Sequence, residues 1–237
     1  MKAVIVAAGE GKRLRPYTEK RPKPLVFVGG KPIIHYTLSN LKKAGINEVG
    51  IVTGYLAEKF KEEIGNEYEG CRITYLLNDK YTTTDNLHSL FKAREYCKDG
   101  FVFLNADVIT QHSMFKELVS YKHPDVCVVD DSLELAPLSM KSRVENCTIT
   151  AMSRDLKDGN ARAIGIYKWS KEGSSLYFAE MEKLVKSSSE PMQIEMAIRN
   201  VIQRRPLYAL PVKKNIWFEI DEESDLKDAE KSISLLI

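Results

Sequence analysis

Cysteine is scarce in this sequence: four residues in 237, none in a C-x-x-C pair. The widely spaced Cys71, Cys97, Cys127 and Cys147 suit neither a disulfide framework nor a zinc site, and four buried, reduced thiols are expected. Long hydrophobic runs are missing too. Nothing approaches the roughly 20 apolar residues that span a bilayer, and the stretch after Met1-Lys2 is too short for a secretion signal. A cytoplasmic protein without membrane insertion is the expectation. Charge of one sign is absent as well: 35 Lys+Arg against 33 Asp+Glu leave a net charge of only +2. The balance gives no global electrostatic case for nucleic acid. Internal repeats and low-complexity segments are lacking. So are two familiar phosphate devices. The second glycine of Gly9-Glu10-Gly11 comes too early for a P-loop, and Leu14 stands where a dinucleotide fingerprint needs its third glycine.

What remains is 43% hydrophobic and 29% charged, ordinary for a globular chain long enough to bury a full core. Its most informative stretch is MKAVIVAAGEGKRLRPYTEKRPKPLV. A strand-like run through Ala7 and Ala8 empties into a loop holding Gly9 and Gly11, then Lys12 and Arg13, with Lys23 following between Pro22 and Pro24. Glycines let backbone N–H groups approach phosphate oxygens, and the cations supply charge where a polyphosphate must be held. This stretch resembles the signature of the nucleotidyltransferases that make nucleoside-diphosphate sugars and their relatives, GxG[ST]R[LM] with a downstream PKP. Lys12 departs from it, standing where that family carries Ser or Thr.

Strand-like and helix-like segments alternate through the first half, predicting a Rossmann-like, mostly parallel α/β sheet flanked by helices. Strands are expected at 2–7, 48–53, 72–77, 101–104 and 126–129, with helices at 33–44, 56–64 and 86–96 and a short helix capped by Ser113. After Met140 the pattern becomes an antiparallel hairpin, 140–144 with 148–152. Further expectations are a strand at 165–169, helices near 176–185 and 192–203, short strands at 207–210 and 216–220, and a closing helix at 222–234. The stretch from Ser187 to Glu190 is expected to be a mobile loop. The expected organisation is one nucleotidyltransferase domain: a core of about 1–130, a mixed acceptor-binding extension of about 131–221, and the closing helix.

Ligands of open parallel sheets sit beyond the carboxyl ends of the strands. Residues 8–13, Thr53-Gly54-Tyr55, Asn78-Asp79, residues 105–107 and residues 219–221 fall at such ends. Two carboxylates facing one polyphosphate would hold Mg²⁺, which takes one or two carboxylates plus phosphate and water oxygens. Asp107 and Asp221 match the positions of the metal ligands in the resembled family. The structural alternatives are a turn cap for Asp107 and a helix N-cap for Asp221. Arg13 and Lys23 complete the expected catalytic set.

The segment NDKYTTTDNLHSL and the late FEIDEESDL are similar to the bacterial phosphocholine cytidylyltransferases. That resemblance implies CTP, bound by Ala7, Ala8, Gly9, Gly11, Lys12, Thr53, Gly54, Tyr55, Asn78, Asp85, Asn86 and Ser89. It also implies transfer of CMP to a small phosphorylated or aminophosphonate acceptor. Acceptor candidates are Lys141, Arg154, Arg162, Tyr167, Trp217 and Glu219. A quaternary ammonium needs an aromatic cage, for which Tyr167, Trp169, Trp217 and Phe218 are available. The stretch LAPLSMKSRV has no aromatic where a cage tryptophan is expected, which speaks against phosphocholine itself. Two other readings stay open: a sugar-1-phosphate nucleotidyltransferase using UTP, dTTP or CTP, and a non-catalytic nucleotide-binding regulatory domain. A homodimer is compatible with the sequence.

Overall fold

The structure, a computed structural model, describes residues 1–132, 135–187, 190–213 and 215–235. The loop expected to be mobile lies partly outside these residues. Ten strands form the main sheet: β1 (Lys2–Ala7), β2 (Glu48–Thr53), β3 (Glu67–Tyr68), β4 (Cys71–Leu77), β5 (Phe101–Asn105), β6 (Val126–Asp130), β7 (Lys141–Glu145), β8 (Thr148–Ser153), β9 (Ala161–Trp169) and β10 (Tyr208–Pro211). Their spatial order is β7-β8-β10-β6-β9-β5-β1-β2-β4-β3. The block β4-β2-β1-β5 is parallel throughout. On the other side β9 enters antiparallel between β5 and β6.

Alternation along β1 explains why helices cover both faces. Ala3, Ile5 and Ala7 point into one core with the Ile33–Lys43 and His112–Ser120 helices, while Val4 joins a second core with the Lys171–Ser187 and Ile194–Ile202 helices. Ala44 ends the first helix, and Gly45 follows at φ +84°, a conformation glycine adopts without Cβ strain.

Several expectations change in detail. The helix expected over 86–96 stops at Lys92, and Arg94–Cys97 forms a separate turn about Ala93. Ser113 is not a cap, because the His112–Ser120 helix begins one residue earlier with Gln111 at its N-cap. The hairpin forms, with Asn146 and Cys147 at φ +48° and +62° in its tip. That two-residue positive-φ loop pushes Cys147 into solvent, so only Cys71, Cys97 and Cys127 are buried. No helix among the described residues is long and apolar enough to cross a membrane.

Candidate active site

The loop after β1 is held open from below. Gly11 sits at φ +62°, and a Cβ there would meet Lys23 Cβ at 3.0 Å and Thr18 Cγ2 at 3.1 Å. Glycine is therefore needed both for the turn and for the close passage of the Pro22-Lys23-Pro24 segment. Thr18 Oγ1 donates to the Gly11 carbonyl at 2.9 Å, and Tyr55 Oη donates to the carbonyls of Thr18 and Glu19 at 3.0 and 2.9 Å. Lys23 opens a short 3-10 turn through Leu25, with Pro22 as its cap, and this aims its ammonium inward.

Two carboxylates meet that ammonium. Asp107 immediately precedes Val108–Thr110, and Asp221 lies just past Trp217–Glu219; these two segments pair antiparallel outside the main sheet. Ile220 N–H donates to the Asp107 carbonyl at 3.0 Å, so the ribbon delivers both acids side by side. Lys23 Nζ donates to Asp107 Oδ2 at 2.8 Å and to Asp221 Oδ1 at 2.7 Å, and Arg13 reaches the same Asp221 oxygen at 2.8 Å. Burial pulls the Lys23 pKa down, but the two carboxylates outweigh it and leave the pKa above the ordinary lysine value. Burial likewise pushes Asp221 up, and Lys23 with Arg13 brings it below the usual range.

Neither acid is spent on a cap. Glu222 caps the Glu223–Ser232 helix in a reciprocal box with Asp225, which also accepts from the Asp221 N–H at 2.8 Å. Asp107 Oδ1 is buried and unpartnered. An orphaned carboxylate oxygen beside a second acid fits a divalent cation. Among the described residues no cluster of three or more His, Cys, Asp or Glu could hold a metal. Two carboxylates with a free oxygen suit a divalent cation whose other ligands are phosphate and water oxygens.

A cavity of about 350 Å³ opens above this cluster, walled by the glycine loop on one side and Tyr81, Thr84 and Asp85 on the other. A smaller one, about 180 Å³, adjoins it and shares Arg13, Asn86, Asn105, Arg154, Glu219 and Asp221. Asn105 reaches both because Gly165 yields space: at φ +75°, a Cβ there would lie 2.5 Å from Asn105 Nδ2. The pairing of β9 with β6 shifts register around this glycine.

Residues 2–126 match the nucleotidyl transferase family. The chain belongs to that family. It is 38% identical over 139 residues to the CMP-5'-(3-aminopropyl)phosphonate synthase of Streptomyces rubellomurinus, 59% of this chain and 22% of that protein. A full-length likeness, 29% over 96% of this chain and 98% of the other, is to the CTP:phosphoglutamine cytidylyltransferase of Campylobacter jejuni. Among solved structures, the CTP:phosphocholine cytidylyltransferase LicC of Streptococcus pneumoniae superposes with a TM-score of 0.78 at 27% identity, covering 98% of both chains. The chain spans about half or less of the length of several curated relatives that it matches.

In this nucleotidyl transferase the expected nucleotide residues divide. Ala7, Ala8, Gly9, Gly11, Asp85, Asn86 and Ser89 line the larger cavity. Thr53, Gly54, Tyr55 and Asn78 lie behind it and support it. Gly54 packs where a Cβ would be 2.7 Å from both the Ala8 carbonyl and Tyr81 Cβ. Asn78 is buried and bonds Thr84 and Ser89 at 3.1 and 3.0 Å, fixing the loop that presents Tyr81. Lys12 points to solvent beside Glu10 and lines neither cavity.

On the acceptor side, Arg154 and Glu219 line both cavities and Arg162 the smaller. Arg162 pairs with Glu219 and lies 4.8 Å over the Trp217 ring, while Trp217 Nε1 donates to Asp130 at 2.6 Å. Burial, then the charge of Asp107, pushes Glu219 up to about 7 against the pull of Arg162. Tyr167 is a correction: it is fully buried in the core beside Phe103 and Trp169, because β9 is a central strand. Lys141 is a second, its place in β7 being outside both cavities. Glu195 lies outside every expected site, whereas Asn105 falls in the expected strand-end cluster 105–107 and Tyr81 in the NDKYTTTDNLHSL segment, neither with a role of its own. Gly165 inside a strand pattern was the available signal for Asn105, since such a glycine marks a bulge or a close approach.

Proposed function

We propose that this enzyme transfers CMP from CTP to a small phosphate or phosphonate acceptor and releases pyrophosphate. The observation that carries the reading is a wall, Arg13, Asn105, Glu219 and Asp221 among it, shared by two cavities: a glycine-loop cradle that also holds Lys23 and Asp107, with Lys23 bonded to both Asp107 and Asp221, and a smaller pocket beyond. The relatives that take CTP support the choice of nucleotide.

An acceptor oxygen attacks the α-phosphorus, the bond to the α–β bridging oxygen breaks, and the electron pair leaves with pyrophosphate. A phosphate or phosphonate oxygen is already anionic, so no general base is required, and catalysis rests on positioning and charge. The Gly9–Gly11 backbone and Arg13 hold the departing phosphates. Lys23, on leaving the two carboxylates, neutralises charge on the α-phosphate. Asp107 and Asp221 would hold Mg²⁺, which when bound supplies neutralisation of phosphate charge.

The test is pyrophosphate release with CTP, UTP, dTTP and ATP against phospho-alcohols, aminophosphonates and hexose 1-phosphates. Turnover is expected with CTP and a phospho-alcohol or aminophosphonate. Asp107→Asn should lower it by about two orders of magnitude or more with the melting temperature kept. Turnover confined to UTP or dTTP with a hexose 1-phosphate would overturn the cytidylyl reading. Near-normal rates in Asp107→Asn would overturn the role of that carboxylate.

A further inference from the structure

Opposite charges line the two cavities, and pairing them off leaves two groups over. Arg13 and Lys23 are engaged by Asp221 and Asp107, and Arg162 by Glu219. Asp85 caps the Asn86–Lys92 helix. Arg154 and Glu195 are left. Among the described residues neither has an ion-pair partner within 4.0 Å, although both line the 180 Å³ cavity. Glu195 is only 7% exposed, an unusual state for a carboxylate that makes no direct ion pair; Arg154 and Arg199 act on it from beyond that distance. It is placed firmly: the Ile194 N–H beside it donates to Asn86 Oδ1 at 2.9 Å, tying this helix start to the nucleotide-side loop. Arg154 is exposed at the junction of the two cavities.

The rest of the wall comes from Ala136, Leu138, Met140 and Ala163 with the polar Ser139, Asn86 and Asn105, and among the described residues it holds no aromatic ring. A quaternary ammonium therefore lacks the ring faces it needs. A group with N–H donors does not need them, because a buried carboxylate serves it better.

Building on the nucleotidyl-transfer reading, we infer that the acceptor's head group is a zwitterion, with a carboxylate read by Arg154 and a primary ammonium read by Glu195. The acceptor class is a phosphorylated or phosphono amino acid.

Four acceptors separate the possibilities: O-phosphoserine carries both groups, phosphoethanolamine the ammonium alone, phosphoglycolate the carboxylate alone, and phosphocholine a quaternary ammonium. Each is assayed for pyrophosphate release with CTP, UTP, dTTP and ATP, and titrated calorimetrically into the enzyme. O-phosphoserine is expected to exceed each of the others by about tenfold or more in kcat/KM, because a site built for a polar group rejects the analogue lacking it. Arg154→Ala should lower kcat/KM for O-phosphoserine at least about tenfold more than for phosphoethanolamine. Glu195→Gln should penalise O-phosphoserine more than phosphoglycolate. A preference for phosphoethanolamine or phosphocholine with CTP would overturn the zwitterion and leave the cytidylyl reading standing. The expected order with another nucleotide would do the reverse. Equal losses on all acceptors in Arg154→Ala would assign that residue to the transferred phosphate and overturn its proposed role. No turnover and no saturable O-phosphoserine binding would overturn both readings.

Discussion

Two carboxyls at this site, Glu219 and Glu195, are pushed up by burial and so lower the stability of the folded chain at neutral pH, and Glu195 makes that cost measurable. Burial pushes its carboxyl up to about 7 from an ordinary value of 4.5, against the nearby charge of Arg154 and Arg199 and with that of Asp85. Below pH 4.5 the residue is protonated whether the chain is folded or not. Between 4.5 and 7 the folded protein keeps a proton that the unfolded chain has released, so its contribution falls as pH rises. Above 7 it is a constant cost on the order of 3 kcal/mol. Glu195→Gln should therefore raise the melting temperature, and by more at pH 8 than at pH 5. Equal gains at both pH values in thermal melts would disprove the burial argument. The candidate residues that the sequence singles out differ from Glu195. Gly11 and Lys23 belong to a short local pattern whose chemistry is tied to spacing, and Asp107 and Asp221 stand at strand ends that match the metal-ligand positions of the resembled family. Glu195 sits in an unremarkable amphipathic helix, and nothing in IEMAIRN distinguishes a cavity-facing carboxylate from a solvated one. Tyr167 misled for the complementary reason: an aromatic in a strand fits a cage and a core equally well, and only the placement of β9 decides.

Elements set the site through their ends. The capping box of the Glu223–Ser232 helix is one step from the chemistry, because Asp225 Oδ2 accepts from both Glu222 and Asp221 backbone N–H groups, at 2.9 and 2.8 Å. Asp225→Ala should cost about 0.5–2 kcal/mol of stability, as cap losses do. It should also reduce pyrophosphate release more than the loss of folded protein explains, since the backbone carrying Asp221 loses an anchor. Chemical denaturation and turnover measured on the same sample would check this. A rate that follows only the folded fraction would show the cap to be structural alone. Most of the parallel block was legible from alternating apolar runs and caps. The strand order beyond β5 was not. Its antiparallel insertion depends on register between segments far apart in sequence, which a local pattern does not carry. The break at Ala93 was hidden too, because neither glycine nor proline marks it.

Across the whole molecule, the sheet separates two apolar cores, and the site lies at the carboxyl ends of β1 and β5, where the glycine loop and Asp107 emerge. The family model covers residues 2–126, while the likeness to whole relatives runs over nearly the full chain. The second half brings Arg154, Arg162, Glu195, Glu219 and Asp221 to the walls of the two cavities. The ribbon that joins Asp107 to Asp221 has a kinetic consequence. Lys23 meets these two acids across 84 and 198 residues of chain. The contact with Asp221 spans twice the separation of the β1–β5 pairs, which join residues 99 apart such as Lys2 and Phe101, and is expected to close after the parallel block. On dilution from denaturant, far-UV circular dichroism should recover before pyrophosphate release does, and the lag should persist at low protein concentration. Recovery of both at one rate would mean that the ribbon forms with the sheet. On that order the glycine loop, Lys23 and Asp107 would stand together before Asp221 reaches them, and a chain halted there would lack one of the two acids beside the ammonium.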